Sequence, residues 1–469
     1  MKVIKIGGGC LNGKETIAAI LDLLVTRGRG NVIVVSALGG VTDLLLGGMS
    51  QALAEEEAVG RIMDRLKHKH MLVARHLIHD EQHIRSYARE LGKSLARLER
   101  LLYGLHYTGE ITAKMEDAIS SFGERICAQL LAAVLNARGC KASCRLPEEI
   151  GVVTDGKFGD ASALLAPSER HFRERLLPQI NNGQVTIIPG FYGISSSGET
   201  TTFGRGGSDY SAAVLAAISG AEVLEIWKDV DGFLSADPKF VPEARLISEL
   251  SYDEAAELAY FGAKILHPRT VEPLRKKALP IAIKNTLRPD EVGSRITARG
   301  KADAGVIKSV AYTTDIAILK VHASGVGKRR GILGEVANAV AARGVNIKSV
   351  VTSQTCISLL LSRRDLEPAA QALAALKPRP YRKLEKNENI ALIAVVGKGL
   401  STKPGIAAAC FSAAAGCRVN IEMIAFGPSP VALYFIVREH TLHKAVTAIH
   451  SAFFADPACA VDASATLSK

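Results

Sequence analysis

The sequence predicts an α/β domain on a mainly parallel sheet, followed by two small α+β units. Three observations carry this. Short apolar strands alternate with helical stretches from residue 1 to about 295. Several of those strands run into glycine-rich loops, as in a nucleotide-binding α/β unit. The last third of the chain repeats itself at an offset of 74 residues, Gly331-Ile332 and Val345-Asn346-Ile347 recurring as Gly405-Ile406 and Val419-Asn420-Ile421.

The first strand is Val3–Ile6, which carries Lys5 and feeds Gly7-Gly8-Gly9 and a helix over Glu15–Thr26. No GxGxxG and no GxxxxGK[ST] follows it, so dinucleotide and P-loop readings lose support. Lys5 can lean over a phosphate held by the glycine N–H groups, or be a solvated edge lysine. Asn31–Ser36 is a buried strand that ends in Ala37-Leu38-Gly39-Gly40-Val41-Thr42-Asp43. Residues 50–118 are helical by period and strongly charged. Their His76, His79 and His83 share one face, read as solvated and polar because no Cys or paired carboxylate accompanies them. Ser120–Asn136 is a helix with Glu124 near its start, and Gln184–Phe191 is a buried strand with a Pro-Gly break.

The densest stretch is Thr200–Ala213, TTTFGRGGSDYSAA. Three hydroxyl residues precede a glycine turn, and Ser208 and Asp209 stand at the start of a helix expected over Tyr210–Gly220. Helix N-termini present unpaired N–H groups and a positive partial charge, which suit an anion. Arg205 adds a planar cation able to grip a carboxylate through two hydrogen bonds. The plainer reading is a tight strand-to-helix turn with Asp209 as a cap. Glu222–Lys228 is the next strand, then a turn-rich acidic loop, 229–239. A helix follows at Tyr252–Tyr260, another opens from 262–268 with Lys264 near its start, and Leu279–Asn285 is the last strand. In the C-terminal third each repeat has a helix after its glycine (from Ile332 and Ile406) and later strands (356–361 and 431–437), a βαββ pattern. Lys386–Asn389 is a polar joint, and neither copy carries a cluster of acids, bases or nucleophiles.

The chain has 469 residues, a net charge of +11 and eight cysteines without CxxC pairs. Lys and Arg are spread, with no basic stripe interleaved with aromatics, so anionic small substrates account for the sign and no nucleic-acid partner is expected. No apolar run is long enough to cross a membrane and the N-terminus lacks a signal-peptide segment. Reduced thiols in the cytoplasm are expected, with no protein metal site.

Seven ordered motifs together resemble the aspartate kinases, of the kind with two C-terminal ACT domains and a catalytic domain of the amino-acid kinase superfamily. They are KIGG at 5–8, SALGGVTD at 36–43, FGER at 122–125, PGFYG at 189–193, TTFGRGGSDYSA at 201–212, WKDVDGFLSADPKFVPEA at 227–244 and YFGAKILHP at 260–268. The resemblance implies a catalytic domain over 1–295 and ACT domains of βαββαβ type over 313–385 and 386–469, the second with a strand drawn from 300–312. It implies transfer of the γ-phosphate of ATP, with Mg²⁺, to the β-carboxylate of L-aspartate. Lys5 would contact the phosphoryl group and Asp209 organise the lysines. Arg205 would hold the α-carboxylate and Glu124 the ammonium, with Ser36, Thr42 and Ser208 on the substrate's carboxylates. Gly7, Gly8, Lys228, Asp229, Leu234, Lys239 and Lys264 fall on the nucleotide side. The chain departs from the family at Gly9-Cys10, Lys228, Leu234 and Lys239. Alternatives are another carboxylate kinase of the superfamily and a non-catalytic regulatory homologue. A homodimer or homotetramer through the ACT units is implied. So is an amino-acid effector, lysine or threonine, at Val350, Ser353 and Gln354, although Lys348, Lys328, Arg329 and Arg330 oppose a cationic one.

Overall fold

A computed structural model describes residues 1–180, 182–263, 265–300, 306–400, 402–427 and 429–454. The chain divides into two compact units. One comprises Met1–Phe233, Leu246–Ala259 and Lys264–Lys301, the other Leu234–Arg245, Tyr260–Ala263 and Ala302–Lys469.

In the first unit the strands are β1 (Val3–Ile6), β2 (Val32–Val35), β3 (Ala142–Cys144), β4 (Val185–Pro189), β5 (Tyr192–Ile194), β6 (Thr200–Thr202), β7 (Leu224–Lys228), β8 (Glu249–Ser251), β9 (Ile281–Asn285) and β10 (Ser294–Thr297). Eight of them form one sheet in the order β3-β4-β2-β1-β7-β9-β10-β8, while β5 and β6 make a separate hairpin. From β3 to β9 every pairing is parallel, and only β9–β10 is antiparallel. The strand expected at Leu279–Asn285 is therefore not the last, because β10 follows it. Both β8 and β10 are short and polar, which leaves little periodicity to read.

Strand alternation decides what each face meets. Ile4 and Ile6 enter the core shared with the helices Lys14–Arg27 and Phe122–Ala137. Lys5 points the other way, towards the helix Gly207–Ser219. Helices Val41–Ala54, Glu57–Leu77, Glu81–Thr108 and Ala113–Ser120 pack over the first face, with Ile62, Leu66, Leu91, Leu95, Leu98 and Leu102 in that core. The stretch Ala113–Ala137 is long and apolar enough to cross a membrane by length and composition, which amends the sequence expectation; 83% of its most apolar window is buried inside the unit. His76 and His79 are exposed, and His83 bonds Asp80 at 2.5 Å. Among the described residues no group of three or more His, Cys, Asp or Glu stands ready for a metal. The helix expected from 262 begins later, as a 3₁₀ turn at Pro268–Val271 and a short helix at Glu272–Arg275. Proline favours the first helical position and forces the preceding His267 into extended backbone (ψ 135°).

The second unit holds β11 (Ser309–Thr313), β12 (Ala317–His322), β13 (Ser349–Thr352), β14 (Cys356–Leu361), β15 (Lys383–Asn387), β16 (Ile390–Val396), β17 (Ile421–Phe426) and β18 (Ala432–Arg438). They form two antiparallel sheets, β13-β14-β12-β15 and β11-β16-β18-β17. The helix pair Ile332–Ala341 and Leu366–Ala374 shares a core with the first sheet, and the pair Ile406–Gly416 and Leu442–Phe454 with the second. The polar joint expected at 386–389 is in part strand: β15 lies along β12, Lys386 opposite Leu319, with Lys383 and Lys386 exposed and Leu384 packed on the core. Exposed lysines suit an edge strand. Strand β13 starts at Ser349, just beyond the repeated Val345-Asn346-Ile347. The segment 234–245 also belongs here, Ala236 bridging Val310, and Ala236 and Val241 entering the core of the second sheet. The acidic loop 229–239 is thus divided between the units after Phe233.

Candidate active site

In an open α/β sheet, ligands settle at the carboxyl ends of the strands where the strand order reverses. Here β2 lies on one side of β1 and β7 on the other, so the reversal is at β1. The loops beyond β1, β2, β4 and β7 carry the residues singled out in the sequence.

The glycine turn has a steric cause. Gly204 and Gly206 adopt φ of 68° and 71°, and a side chain on Gly206 would run into the ring of His267. Gly206 caps the helix Gly207–Ser219, which brings Ser208 and Asp209 into its first turn. A Cβ on Gly190 would stand 2.9 Å from that of Ser208, so the Pro-Gly break after β4 lets the helix end approach the sheet. Phe191 follows with φ 78°, rare for an aromatic residue, its carbonyl accepting from Phe203 N–H at 2.8 Å.

Asp209 faces Lys5 across this junction, Oδ1 to Nζ at 2.5 Å, and both are more than nine-tenths buried. Its other oxygen is 3.8 Å from Lys228 Nζ. Burial opposes ionisation of Asp209, but the Lys5 and Lys228 charges and the Lys5 hydrogen bond overcome it and hold the carboxyl below its usual range. Burial in turn lowers the Lys228 ammonium, with Asp209 opposing. Gly7 N–H donates to the Trp227 carbonyl at 3.0 Å, which levels the first turn with the end of β7. A Cβ on Gly8 would lie 3.7 Å from Ser36 Cβ, and one on Gly9 3.1 Å from an Asp229 carboxylate oxygen.

On the other side of the cluster stands Glu124, in the first turn of Phe122–Ala137. Gly123 permits the approach, since a Cβ there would be 2.9 Å from Ala37 Cβ. Oε1 accepts from the Ser208 hydroxyl at 3.3 Å, while Oε2 is buried without a partner. Burial pushes this carboxyl up to about 7, against the hydrogen bonds from Ala37 N–H and Ser208. Thr42 is half-buried in the first turn of Val41–Ala54, after Gly40 at φ 73°. Arg205 is exposed at the tip of the glycine turn. The structure thus brings together Lys5, Gly7, Gly8, Ser36, Glu124, Ser208, Asp209, Lys228 and Asp229.

Leu234 and Lys239 lie in the segment that belongs to the second unit, where the Leu234 carbonyl accepts from Ser309 Oγ at 2.8 Å and Lys239 is exposed. Lys264 lies outside the described residues. Val350 is 38% exposed on β13, and Ser353 and Gln354 are exposed in the turn to β14, the Gln354 carbonyl accepting from Val326 N–H at 3.0 Å.

Other supports of the site were missed in the sequence. The Lys69 ammonium donates to the Gly39 carbonyl in the loop after β2. Asp117 accepts from Thr202 N–H at 2.8 Å and Gly159 N–H at 2.9 Å, tying down the strand ahead of the glycine turn. Arg269 binds Asp160 at 2.8 Å and stacks over Tyr210 at 4.4 Å. His267, against Gly206, keeps a buried Nδ1 without a partner, and burial lowers its pKa. Only His267 had a signal, its place in the 260–268 motif.

Known proteins share this fold. Residues 1–285 match the amino acid kinase family and residues 393–453 match the ACT domain. Aspartokinase 1, chloroplastic, of Arabidopsis thaliana is 31% identical over 96% of this chain and 80% of its own length. The chain belongs to the aspartokinase family. Among its relatives is also the bifunctional aspartokinase/homoserine dehydrogenase 2, chloroplastic, of the same plant, 27% identical over 96% of this chain. This chain spans about half the length of that enzyme (50%). The fold matches E. coli aspartokinase III, solved with aspartate and ADP, at a TM-score of 0.80 and 27% identity, over 96% of this aspartokinase-family chain and 99% of the other. The same enzyme solved with lysine and aspartate matches at a TM-score of 0.81 and 27% identity, over 97% and 99%.

Proposed function

We propose that this chain is an ATP-dependent aspartate kinase, moving the γ-phosphoryl group of ATP onto the β-carboxylate of L-aspartate to give 4-phospho-L-aspartate and ADP. The observation that carries the reading is the Lys5–Asp209–Lys228 cluster at the sheet's reversal point, with Glu124 beside it presenting a buried Oε2 that has no partner. Phosphoryl transfer to a carboxylate asks for positioning and charge neutralisation and little else. A carboxylate is already ionised near neutral pH, so no general base is needed.

The amino acid would place its ammonium against Glu124, its α-carboxylate on Arg205, and its side-chain carboxylate near Ser36, Thr42 and Ser208. A β-carboxylate oxygen then forms the new bond to phosphorus as the bond to the β,γ-bridging oxygen breaks, and the electron pair leaves with ADP. Lys5, held by Asp209, meets the charge on the transferring group, and the Gly8 N–H meets the phosphates, while Gly7, its own N–H on the Trp227 carbonyl, shapes the turn that receives them. Among the described residues no cage of acids is grouped for a metal, while Asp229 lies against the glycine turn; this donor set fits a Mg²⁺ carried mostly by the nucleotide phosphates and water. Bound so, Mg²⁺ would supply further neutralisation of phosphate charge.

The aspartate and ADP bound by E. coli aspartokinase III support this choice of substrates, and the lysine bound in its second structure supports an amino-acid effector; on this reading the effector sits in the C-terminal unit at Val350, Ser353 and Gln354. Lysine or threonine is the effector class of this reading, and pairing through the ACT units gives a homodimer or homotetramer. The described cysteines are all unpaired, which fits a reducing cytoplasm. The test is ADP release with ATP and Mg²⁺ against a panel of aspartate, glutamate, N-acetylglutamate and glutamate 5-esters, with hydroxylamine trapping of the acyl phosphate. Turnover with aspartate alone is expected; none with aspartate would end the reading.

A further inference from the structure

We infer that Lys228 is a second ligand of the transferring phosphoryl group, specific for the terminal phosphate of the nucleotide rather than a general nucleotide contact. This rests on the kinase reading above and deepens it.

The backbone of Lys228 is fixed at the end of β7: its carbonyl accepts from both the N–H and the hydroxyl of Thr286, at 2.8 and 3.0 Å. Its stem crosses the first glycine, since a Cβ on Gly7 would stand 3.7 Å from Lys228 Cγ and 3.8 Å from Lys5 Nζ. Its ammonium ends 3.8 Å from Asp209, with the side chain only 17% exposed. A lysine serving only solubility would extend into water; this one is folded back over the turn. Two ammonium groups now flank one buried carboxylate, which leaves positive charge beside the turn. Asp229, the other acid near it, is exposed and offsets it little.

The turn itself supplies no hydroxyl. Residues 7–9 are glycine, and the Cys10 thiol is engaged with Thr286 Oγ1 at 3.1 Å and raised in pKa by burial, so it stays protonated and inward. A phosphoryl group at this turn therefore meets N–H groups and the two ammoniums. Lys5 lies deeper, one residue before the end of β1, while Lys228 closes the outer side, where the last phosphate of the chain would lie. Both cations act on the group that moves. In the transfer Lys228 forms no covalent bond: it donates hydrogen bonds to oxygens of the phosphoryl group and keeps its protons.

The test uses the full chain with Mg²⁺, and measures the dissociation constants of ADP and of the non-transferable analogue AMP-PNP by calorimetry for wild type, Lys228→Met and Lys228→Arg. The Met variant is expected to bind ADP within about threefold of wild type and AMP-PNP at least about tenfold more weakly, the loss of one charge-assisted hydrogen bond to the extra phosphate. With aspartate, its kcat is expected to fall by about 10²–10³-fold. The Arg variant, still cationic, should recover most of both. Should Lys228→Met fail to fold, Lys228→Gln takes its place. Equal weakening of ADP and AMP-PNP, or no change in either, overturns the inference. Wild type that binds both nucleotides and does not phosphorylate aspartate removes the kinase reading, yet the AMP-PNP difference still decides the role of Lys228. Wild type that binds neither nucleotide overturns both.

Discussion

Aspartate binding should tighten as pH rises through neutrality, and Glu124 should be the reason. Burial raises this carboxyl to about 7, and its Oε2 has no partner. Only the ionised form can meet a substrate ammonium. At about pH 6 roughly nine in ten Glu124 side chains are protonated, and at about pH 8 roughly one in ten. The aspartate dissociation constant should therefore drop about tenfold over that interval, with a proton released on binding at the acid end. Calorimetry in two buffers of different ionisation enthalpy reads both quantities. Glu124→Gln should flatten the profile and weaken binding by about 1.5–3 kcal/mol at the alkaline end. The same shift has a stability consequence. A folded pKa above the unfolded one means the folded chain binds more protons, so stability falls as pH rises from about 4.5 to 7. A shift of that size costs up to about 3 kcal/mol by about pH 8, so Glu124→Gln should melt higher than wild type there while binding aspartate worse. A flat binding profile in wild type, or a steep one retained in Glu124→Gln, would refute the assignment.

Three further outcomes are expected. Lys5→Ala should lower kcat by about 10²–10³-fold with a much smaller change in aspartate affinity, as steady-state kinetics would read, because a cation opposite developing charge is lost. Arg205→Ala should raise KM for aspartate by about tenfold or more and leave the melting temperature unchanged, since the side chain is exposed; a change in KM for ATP alone would misplace Arg205. His70 is fully buried, with Nδ1 on the Leu66 carbonyl and Nε2 unpartnered, and burial lowers its pKa to about 4. Here the unfolded chain binds more protons, so stability is lost as pH falls through the unfolded value of about 6.5 towards 4, by about 2 kcal/mol at about pH 5. Urea titrations from neutral to acid pH should show this loss in wild type and a weaker one in His70→Leu.

What the sequence made readable and what it hid divide along a physical line. The glycine turns were plain because only glycine fits there: Gly206 has φ 71° with a ring against it, and Gly190 meets the next helix at contact distance. Buried parallel strands such as β1, β2 and β4 were plain because both faces are covered, which leaves runs dominated by Val and Ile, interrupted only by Lys5 in β1 and by Thr186 and Pro189 in β4. Lys69 and Asp117 were not readable, since their partners are a carbonyl 30 residues away and an amide 85 residues away, and neither residue type is unusual on a helix. The repeat misled in an instructive way. Its offset maps β12, β13 and β14 onto β16, β17 and β18, and says nothing of the fourth strand of each sheet. That strand is β15 beside β12, from the far end of the first copy, and β11 beside β16, from ahead of both copies. An antiparallel edge needs only a neighbour of the right direction with backbone groups to pair, so either terminus can supply it. The first copy is consequently inserted within the second, and a boundary drawn between the copies at 385 falls inside β15. Side-chain patterns decide which strands are core; the choice of edge strand rests on chain connectivity, and a repeat unit read by itself carries no trace of it.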